Sequence, residues 1–574
     1  MRIKQPPNGP ATNGLTVNAI AGTHVVMLGL DMDKLKVAGL LGFAIKRTDH
    51  TENERYWLKG MRAFKETYPN PPEGASFSTQ DSPVQDFLWS DFTAKPDHNY
   101  TYEVVPVRGS PKNLTYDNAV AVTLTTEAED IQNQTHSIYF NRGVIGSQAY
   151  TREFVKPPSK LKGAQKAAAY KWLSRGLEEA MLAFISQANS RRYALRAAVY
   201  EFDWTPVSEA LKKALGACDD VRIIFDARVP GGKKGAENKK RIDAAKKQLR
   251  DHGLLNSKTG KGEAVAIPRE QNPSYIAHNK FIVLLDNGNP VSVWTGSTNF
   301  TESGIFGQSN VGHAVKDANV ATAYHEYWKL LAQDPAANSL AADDEKQTPT
   351  LVAFPPPKGA TPVFSPRKDL GQLNWYAKAL ASASNLDCFT AAFGVNKVFL
   401  SVFQKKEPYL RYIFLEKWAV KNADVEKTKK ALTVDPFVQV AVGAKLPDAS
   451  VFGSLNEFLN TISKNVRFTH NKFALVDPLG DDPVVVTGSA NFSDASTTQN
   501  DENMLVIRGD KRVADIYLGE YMRLWRHHNY RDIVIKVNEA TGKEEHNYLT
   551  SSDSWTKDYY RPGSVKSKRR ETFS

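Results

Sequence analysis

Two stretches carry residue types that can do chemistry together. The first runs His278-Asn279-Lys280-Phe281 and, after an apolar run, reaches Gly296-Ser297-Thr298-Asn299-Phe300. The second runs His470-Asn471-Lys472-Phe473 and reaches Gly488-Ser489-Ala490-Asn491-Phe492. In both, the glycine lies 18 residues after the histidine and the asparagine 21 after it. One HxK among 12 histidines is expected by chance; two copies with the same GSxNF at the same distance are not. An imidazole, an ammonium, a hydroxyl and a carboxamide suit a phosphodiester. Lysine and asparagine donate to the non-bridging oxygens of the anion without a metal. A neutral histidine nitrogen attacks phosphorus to give a phosphohistidine. A second, protonated histidine donates to the leaving oxygen and then deprotonates water. Each stretch has one histidine; the pair supplies both.

The elements that must hold these residues read as hairpins. HNKFIVLLD, turn DNGNP and VSVWTGS form one; KFALVD, turn PLGDDP and VVVTGS form the other. Alternation puts His278 and Lys280 on one face of their strand, and the returning strand brings Ser297 and Asn299 back beside them. Strands alternate with helices over about 136–535, which implies an α/β layer structure built as an internal duplication. The halves are expected at 136–335 and 363–535, joined by a linker at 336–362. From Phe140 to His278 there are 138 residues, but only 106 from Phe364 to His470, so the first half holds an insertion, expected in the basic segment 231–262. Residues 1–135 alternate polar with apolar or aromatic residues between turn clusters, as in an all-β sandwich serving as an accessory domain. Their YTYEVVPVRG strand resembles one from a fibronectin type III module. Residues 536–574 read as a solvated basic tail.

HxK followed by GSxN, twice in one chain, resembles the phospholipase D superfamily. The resemblance covers about residues 137–535. It implies a duplicated α/β/α sandwich with the site between the halves, one histidine as nucleophile and the other as general acid. The residues carried over are His278, Lys280, Ser297 and Asn299, with His470, Lys472, Ser489 and Asn491; Ser297, Ser489 and Asn310 are expected to touch the substrate. Two departures stand out. The family's Asp follows the Lys after four residues, as Asp477 follows Lys472, but the first copy has Leu285 there and Asp286 one later, which implies a rearrangement at the hairpin end. A Glu often follows the GSxN asparagine by eleven residues; Glu502 does, whereas the matching residue of the first half is Asn310. Only one histidine can then have a carboxylate partner. With each orienting group reaching across from the opposite half, Glu502 is expected on His278, the nucleophile, and Asn310 on His470, the acid.

Composition narrows the setting. Of 574 residues 41% are apolar, enough for ordinary cores, and Lys plus Arg exceed Asp plus Glu by 11, which favours polyanionic partners. Two cysteines cannot make a disulfide framework. No secretory-type apolar run opens the chain and no run is long enough to span a bilayer, so a soluble, cytoplasmic protein is expected. There is no HExxH or CxxC, and a lysine two residues beyond each histidine repels a divalent ion, so neither metal nor other cofactor is expected. The expected function is a metal-independent endonuclease on DNA or RNA. Lys233, Lys234, Lys239, Lys240, Arg241, Lys246, Lys247 and Arg250 would form a phosphate track. One alternative is a phospholipase D cleaving phosphatidylcholine-type lipids, with Ile305 and Phe306 at the interface. The other is a binding protein whose active part is the N-terminal sandwich, its partner unknown.

Overall fold

The structure, a computed structural model, describes the chain apart from residues 7–8, 72–74, 131–133, 144–146, 230–232, 272–275, 420, 444–466 and 542–547. The side chains of Lys233 and Lys234, the start of the expected phosphate track, also lie outside the described residues. Two seven-stranded sheets dominate. The first contains β1 (His136–Phe140), β2 (Tyr193–Val199), β3 (Val221–Asp226), β4 (Ala266–Arg269), β5 (Lys280–Asp286), β6 (Asn289–Gly296) and β7 (Val311–Val315), in the order β1-β7-β6-β5-β2-β3-β4. The second contains β8 (Gly359–Ser365), β9 (Leu386–Ala391), β10 (Leu410–Leu415), β11 (Val438–Val442), β12 (Phe473–Val476), β13 (Val484–Gly488) and β14 (Glu502–Arg508), in the order β8-β14-β13-β12-β9-β10-β11. The order is the same permutation in each, with β2-β3-β4 and β9-β10-β11 parallel and the other pairs antiparallel. This is a duplicated α/β fold.

Strand alternation decides what each face meets. Along β5, Phe281, Val283 and Leu285 join a core shared by both sheets, while Ile282 and Leu284 join a core under the first half's outer helices. Along β12, Phe473 and Leu475 enter the shared core, and Ala474 and Val476 face the second half's outer helices. The helices Ala318–Leu331 and Lys511–Thr541 bring Tyr324, Tyr327, Trp328, Tyr517 and Tyr521 into the shared core. Tyr327 stacks on Phe364 of the other half (4.3 Å), and Tyr517 meets Phe140 (5.1 Å) and Phe473 (5.2 Å) edge-on.

Register corrects the expected place of the insertion. Phe140 pairs with Val311 and Phe364 with Asn503, while Ala197 pairs with Ile282 and Phe389 with Ala474. Phe140 therefore corresponds to Phe364 and Ala194 to Leu386. The whole 32-residue excess lies between β1 and β2, where the helices Gln148–Phe154 and Gly163–Ser174 sit, and not in 231–262. The basic composition of 231–262 marks a solvated helix face, not an added segment. Its helix, Lys233–Asp251, buries Ile242, Ala245 and Leu249 and turns Lys239 and Lys247 outward onto Asp243 and Asp251.

Two connecting segments also differ from expectation. Within the expected linker, Ala337–Gln347 is a helix with Leu340 and Ala341 buried, and Thr348 accepts from Arg367. Its apolar residues occupy one helical face, which explains the packing. The expected solvated tail is not solvated either. A 3-10 helix, Asp553–Tyr559, and the helix Val565–Phe573 pack on the N-terminal region, where Tyr559 and Phe573 are buried. There Asp86 accepts from Tyr559 (2.9 Å) and Arg569 (3.0 Å). The N-terminal region is all β. One four-stranded sheet holds Arg2–Gln5, Leu15–Ala21, Val26–Met32 and Leu88–Asp91. Its apolar face meets that of a five-stranded sheet built around Gly42–Asp49 and Asn99–Ser110.

Candidate active site

The site forms where the two sheets present the same strand ends to each other. His278 precedes β5, Lys280 opens it, Ser297 and Asn299 follow β6, and Asn310 precedes β7; the second half repeats this with His470, Lys472, Ser489, Asn491 and Glu502. Backbone bonds stitch the halves together at this point. The His278 amide donates to the Asp501 carbonyl (2.9 Å) and the Asp501 amide to Ile276 (3.2 Å). In the mirrored place the His470 amide donates to Ser309 (3.1 Å) and the Ser309 amide to Phe468 (2.8 Å). Each histidine thus lies beside the residue that precedes the other half's orienting group.

The orienting groups cross over. Glu502 Oε2 lies 2.8 Å from His278 Nδ1 and also accepts from Ser489 Oγ (2.7 Å), and Asn500 donates to its other oxygen (3.2 Å). Asn310 Oδ1 lies 3.0 Å from His470 Nδ1 and accepts from Ser297 Oγ (2.8 Å), while its amide nitrogen donates to the Gly304 carbonyl (2.8 Å). That last bond fixes which face of the amide meets the imidazole. Both histidines then carry their proton on Nδ1 and keep Nε2 for chemistry. The two serines hold the orienting groups, a structural duty rather than the substrate contact expected of them.

Lys280 and Lys472 are almost wholly buried, each donating to the carbonyl of its own histidine (2.6 and 2.7 Å). Burial depresses the Lys280 amine to about 7 and pushes Lys472 well below its usual value. Burial likewise lowers His278 to about 4, against the pull of Glu502, and drives His470 well below the ordinary imidazole range. Burial works against the Glu502 charge too, but His278 and Lys280 outweigh it and hold the carboxyl below its usual range. The unliganded site therefore keeps both imidazoles neutral and strains to hold two ammoniums. An anion arriving between them reverses that penalty.

Asn299 and Asn491 each have a side-chain oxygen with no hydrogen-bond partner. The Asn299 amide donates to Glu201 Oε2 (2.6 Å), a residue not anticipated from sequence. Glu201 follows the end of β2, whose neighbour Tyr200 sets its ring edge-on to His278 (4.8 Å) and lies 5.2 Å from Lys280 Nζ. A glutamate and Asp203 directly after a wholly apolar strand end, at the sheet edge that carries the histidines, was the available signal. The corresponding residue of the second half is Phe393, 40% exposed, so the two lips of the site differ. Tyr200, Glu201 and Asp203 share a cavity of about 540 Å³ with Asn238, Lys240 and Arg241 from the helix Lys233–Asp251. Burial, reinforced by Glu201, raises the Asp203 carboxyl to about 6. Arg241 stacks on Tyr200 (4.2 Å) and pairs with Asp226.

The displaced aspartate has a local cause. The β5–β6 register shifts between Leu284 and Leu285, and Asp286 pairs with exposed Arg192 at the hairpin end. Asp477 instead accepts from the amides of Ser384 (2.9 Å), Asn385 (2.7 Å) and Leu386 (3.1 Å). Both lie away from the imidazoles. Ile305 and Phe306, expected at a lipid interface, are fully buried, with Phe306 stacked on Tyr170 (4.4 Å).

Residues 181–331 and 435–525, one segment in each half, match the family model described as Cardiolipin synthase, PLD-like domain. The two matched segments are phospholipase D-like, one in each half. Each matched segment holds one complete HxK and GSxN motif, the pattern of a phosphodiesterase-type enzyme. No curated protein matches it. Solved structures similar to it include three proteins. Polyphosphate kinase from Porphyromonas gingivalis has 9% identity and a TM-score of 0.35, covering 57% of this chain and 42% of that one. Phosphatidylserine synthase from Haemophilus influenzae Rd KW20 has 11% identity and a TM-score of 0.40, covering 64% and 91%. The phospholipase D family member Nuc from Salmonella typhimurium has 18% identity and a TM-score of 0.21, covering 29% and 93%. The chain thus spans less than half the kinase's length and most of the other two.

Proposed function

We propose that this phospholipase D-superfamily enzyme hydrolyses phosphodiester bonds of nucleic acid through a phosphohistidine on His278. With the phosphate anion bound, His470 takes up a proton on Nε2; His278 Nε2 attacks phosphorus, the N–P bond forms, and the bond to the leaving oxygen breaks as His470 Nε2 donates that proton to it. A water then gives a proton to His470, its oxygen bonds to phosphorus, and the N–P bond breaks. Glu502 balances the charge that develops on His278, as a carboxylate does for a catalytic imidazole. Asn310, neutral, leaves His470 free to part with its proton. Lys280 and Lys472 carry the charge on the non-bridging oxygens, the role metal ions fill in other phosphodiesterases.

The observation that supports nucleic acid is the basic helix Lys233–Asp251, whose Lys240 and Arg241 line the cavity that opens beside His278. A polyanion crossing the site would meet this helix next to the scissile phosphate. A second reading, a phospholipid, is favoured by Glu201 and Asp203 in the same cavity, which suit a cationic headgroup. Its support is weaker because Ile305 and Phe306 offer no apolar lip.

The test is a substrate panel in EDTA with plasmid, single-stranded DNA, RNA and phosphatidylcholine vesicles. Cleavage of a nucleic acid and not of lipid is expected. Turnover of vesicles alone would move the assignment to the lipid, and a strict need for added divalent metal would overturn the mechanism. Acid-quenched labelling should place the phosphoryl group on His278; finding it on His470 reverses the roles. If His278→Ala and His470→Ala leave the biological effect intact, the chain acts by binding.

A further inference from the structure

The 32-residue insertion has no counterpart in the second half, yet it builds one wall of a second cavity. This cavity, about 390 Å³, lies within the size range of small-molecule sites. Arg152 and the Trp172 indole come from the inserted helices, and Arg142 and Arg175 flank them. Arg523, Arg526 and Arg531 come from the helix Lys511–Thr541, and Met61 and Phe92 from the N-terminal region. Three parts of the chain thus converge on one space, and among the described residues no Asp or Glu lines it.

Two carboxylates are shared among arginines of the wall. Glu520 is shared between Arg175 (2.7 Å) and Arg523 (2.8 Å), and Asp86 between Arg526 (3.2 Å) and Arg569 (3.0 Å). Arg142 donates to the Trp172 carbonyl (2.8 Å) and lies over its ring (4.4 Å), both neutral partners. Burial, with Arg175 next, lowers the Arg142 guanidinium to about 9, and burial pushes Arg523 and Arg526 down as well. So many guanidiniums in one partly enclosed space cost free energy unless an anion joins them. Planar forks facing one space match the oxygens of phosphoryl groups, which accept in pairs.

We propose that this cavity binds a small polyanion carrying two or more phosphoryl groups, at a site separate from the catalytic histidines. Its wall touches the catalytic network. Arg523 donates to the Asn141 carbonyl (3.1 Å), and Asn141 Oδ1 accepts from the amide of Asn310, the partner of His470 (2.8 Å).

Calorimetric titration of the full chain at low salt with inorganic tripolyphosphate, ATP and adenosine tests this. Tripolyphosphate and ATP should bind and adenosine should not; binding of adenosine alone would overturn the proposal. Arg142→Gln should weaken tripolyphosphate about tenfold or more. Arg152→Gln, on an exposed helical face, should weaken it in the same direction and decides the matter if the first variant misfolds. Lys472→Met should leave this binding unchanged. Loss of binding in Lys472→Met, or unchanged binding in both arginine variants, would place the anion in the catalytic site and sink the idea.

Discussion

Methionine in place of Lys280 keeps an unbranched stem of similar length and removes only the ammonium. In the folded chain that amine is buried and depressed from 10.5 to about 7. At about 1.4 kcal/mol per unit, a depression of roughly 3.5 units means the protonated form costs up to about 5 kcal/mol of stability. The lost bond to the His278 carbonyl (2.6 Å) returns about 1–2 kcal/mol of that. Lys280→Met should therefore be more stable than the parent by up to about 3–4 kcal/mol, while losing an ammonium that meets the phosphate, worth about 10²- to 10³-fold in kcat. The sign with pH follows from where the two states titrate. Below pH 7 both folded and unfolded chains hold the proton and the full penalty applies. From 7 to 10.5 only the unfolded chain does, so the penalty fades and the variant's advantage with it. Thermal unfolding at pH 6 and pH 9.5, beside turnover of the best nucleic acid from the panel, reads both effects. A variant less stable than the parent at pH 6, or one that keeps kcat within tenfold, would refute the picture of a strained ammonium held for substrate.

The same groups set the pH profile. Attack needs neutral His278, lowered to about 4, while proton donation and phosphate binding need charged His470, driven well below the usual imidazole range, and charged Lys280, lowered to about 7, so kcat/KM should rise from low pH and be falling by about 7; a flat profile from 5 to 9 contradicts the assignment. Glu502→Gln should lower kcat/KM by about 10²- to 10⁴-fold with little change in substrate affinity, as loss of a carboxylate behind a catalytic imidazole does. Asp477→Ala should destabilise by about 1–3 kcal/mol in urea unfolding, because the amides of Ser384, Asn385 and Leu386 lose their acceptor, whereas Asp286→Ala should leave the midpoint where it was. Removing 553–574 should make the N-terminal sheets labile to limited proteolysis, since Tyr559 and Phe573 each contribute about 1.5–3 kcal/mol of apolar burial.

What could be read in advance followed from short-range rules. Period-two alternation and turn chemistry defined both hairpins, and equal spacing from histidine to asparagine required equal hairpins. The eleven-residue step to Glu502 and Asn310 spans one irregular connection and ends where β14 begins and β7 is about to begin, at the same sheet edge as the histidines. That is why the crossed pairing was legible. What was not legible depends on register or on distant partners. A length difference between the halves gives the size of an insertion but not its place; the ladders Phe140–Val311 and Phe364–Asn503 were needed to put it between β1 and β2. The tail reads as solvated because its lysines and arginines are conspicuous, yet Phe573 and Tyr559 find a sheet more than 450 residues away in sequence. Glu201 carries no motif, and only the return of Asn299 beside β2 gives it a role.

Duplication explains why the site is both shared and unequal. Each half holds one histidine before its first hairpin strand and one orienting group before the strand that follows the hairpin; the facing half brings Glu502 to His278 and Asn310 to His470. In a two-step displacement the histidines do different work at the same moment, one attacking as a base while the other donates as an acid. Identical surroundings would give them the same proton affinity and no preference for either role. A carboxylate behind His278 favours the cation that attack creates, and an amide behind His470 disfavours holding a proton too firmly. The serines that grip these groups, Ser489 and Ser297, are the same residue in the same place because gripping is the same task in both halves. On the proposed roles, the exchange of carboxylate for amide at a position buried in both copies divides the labour, beside lips that also differ at Glu201 and Phe393.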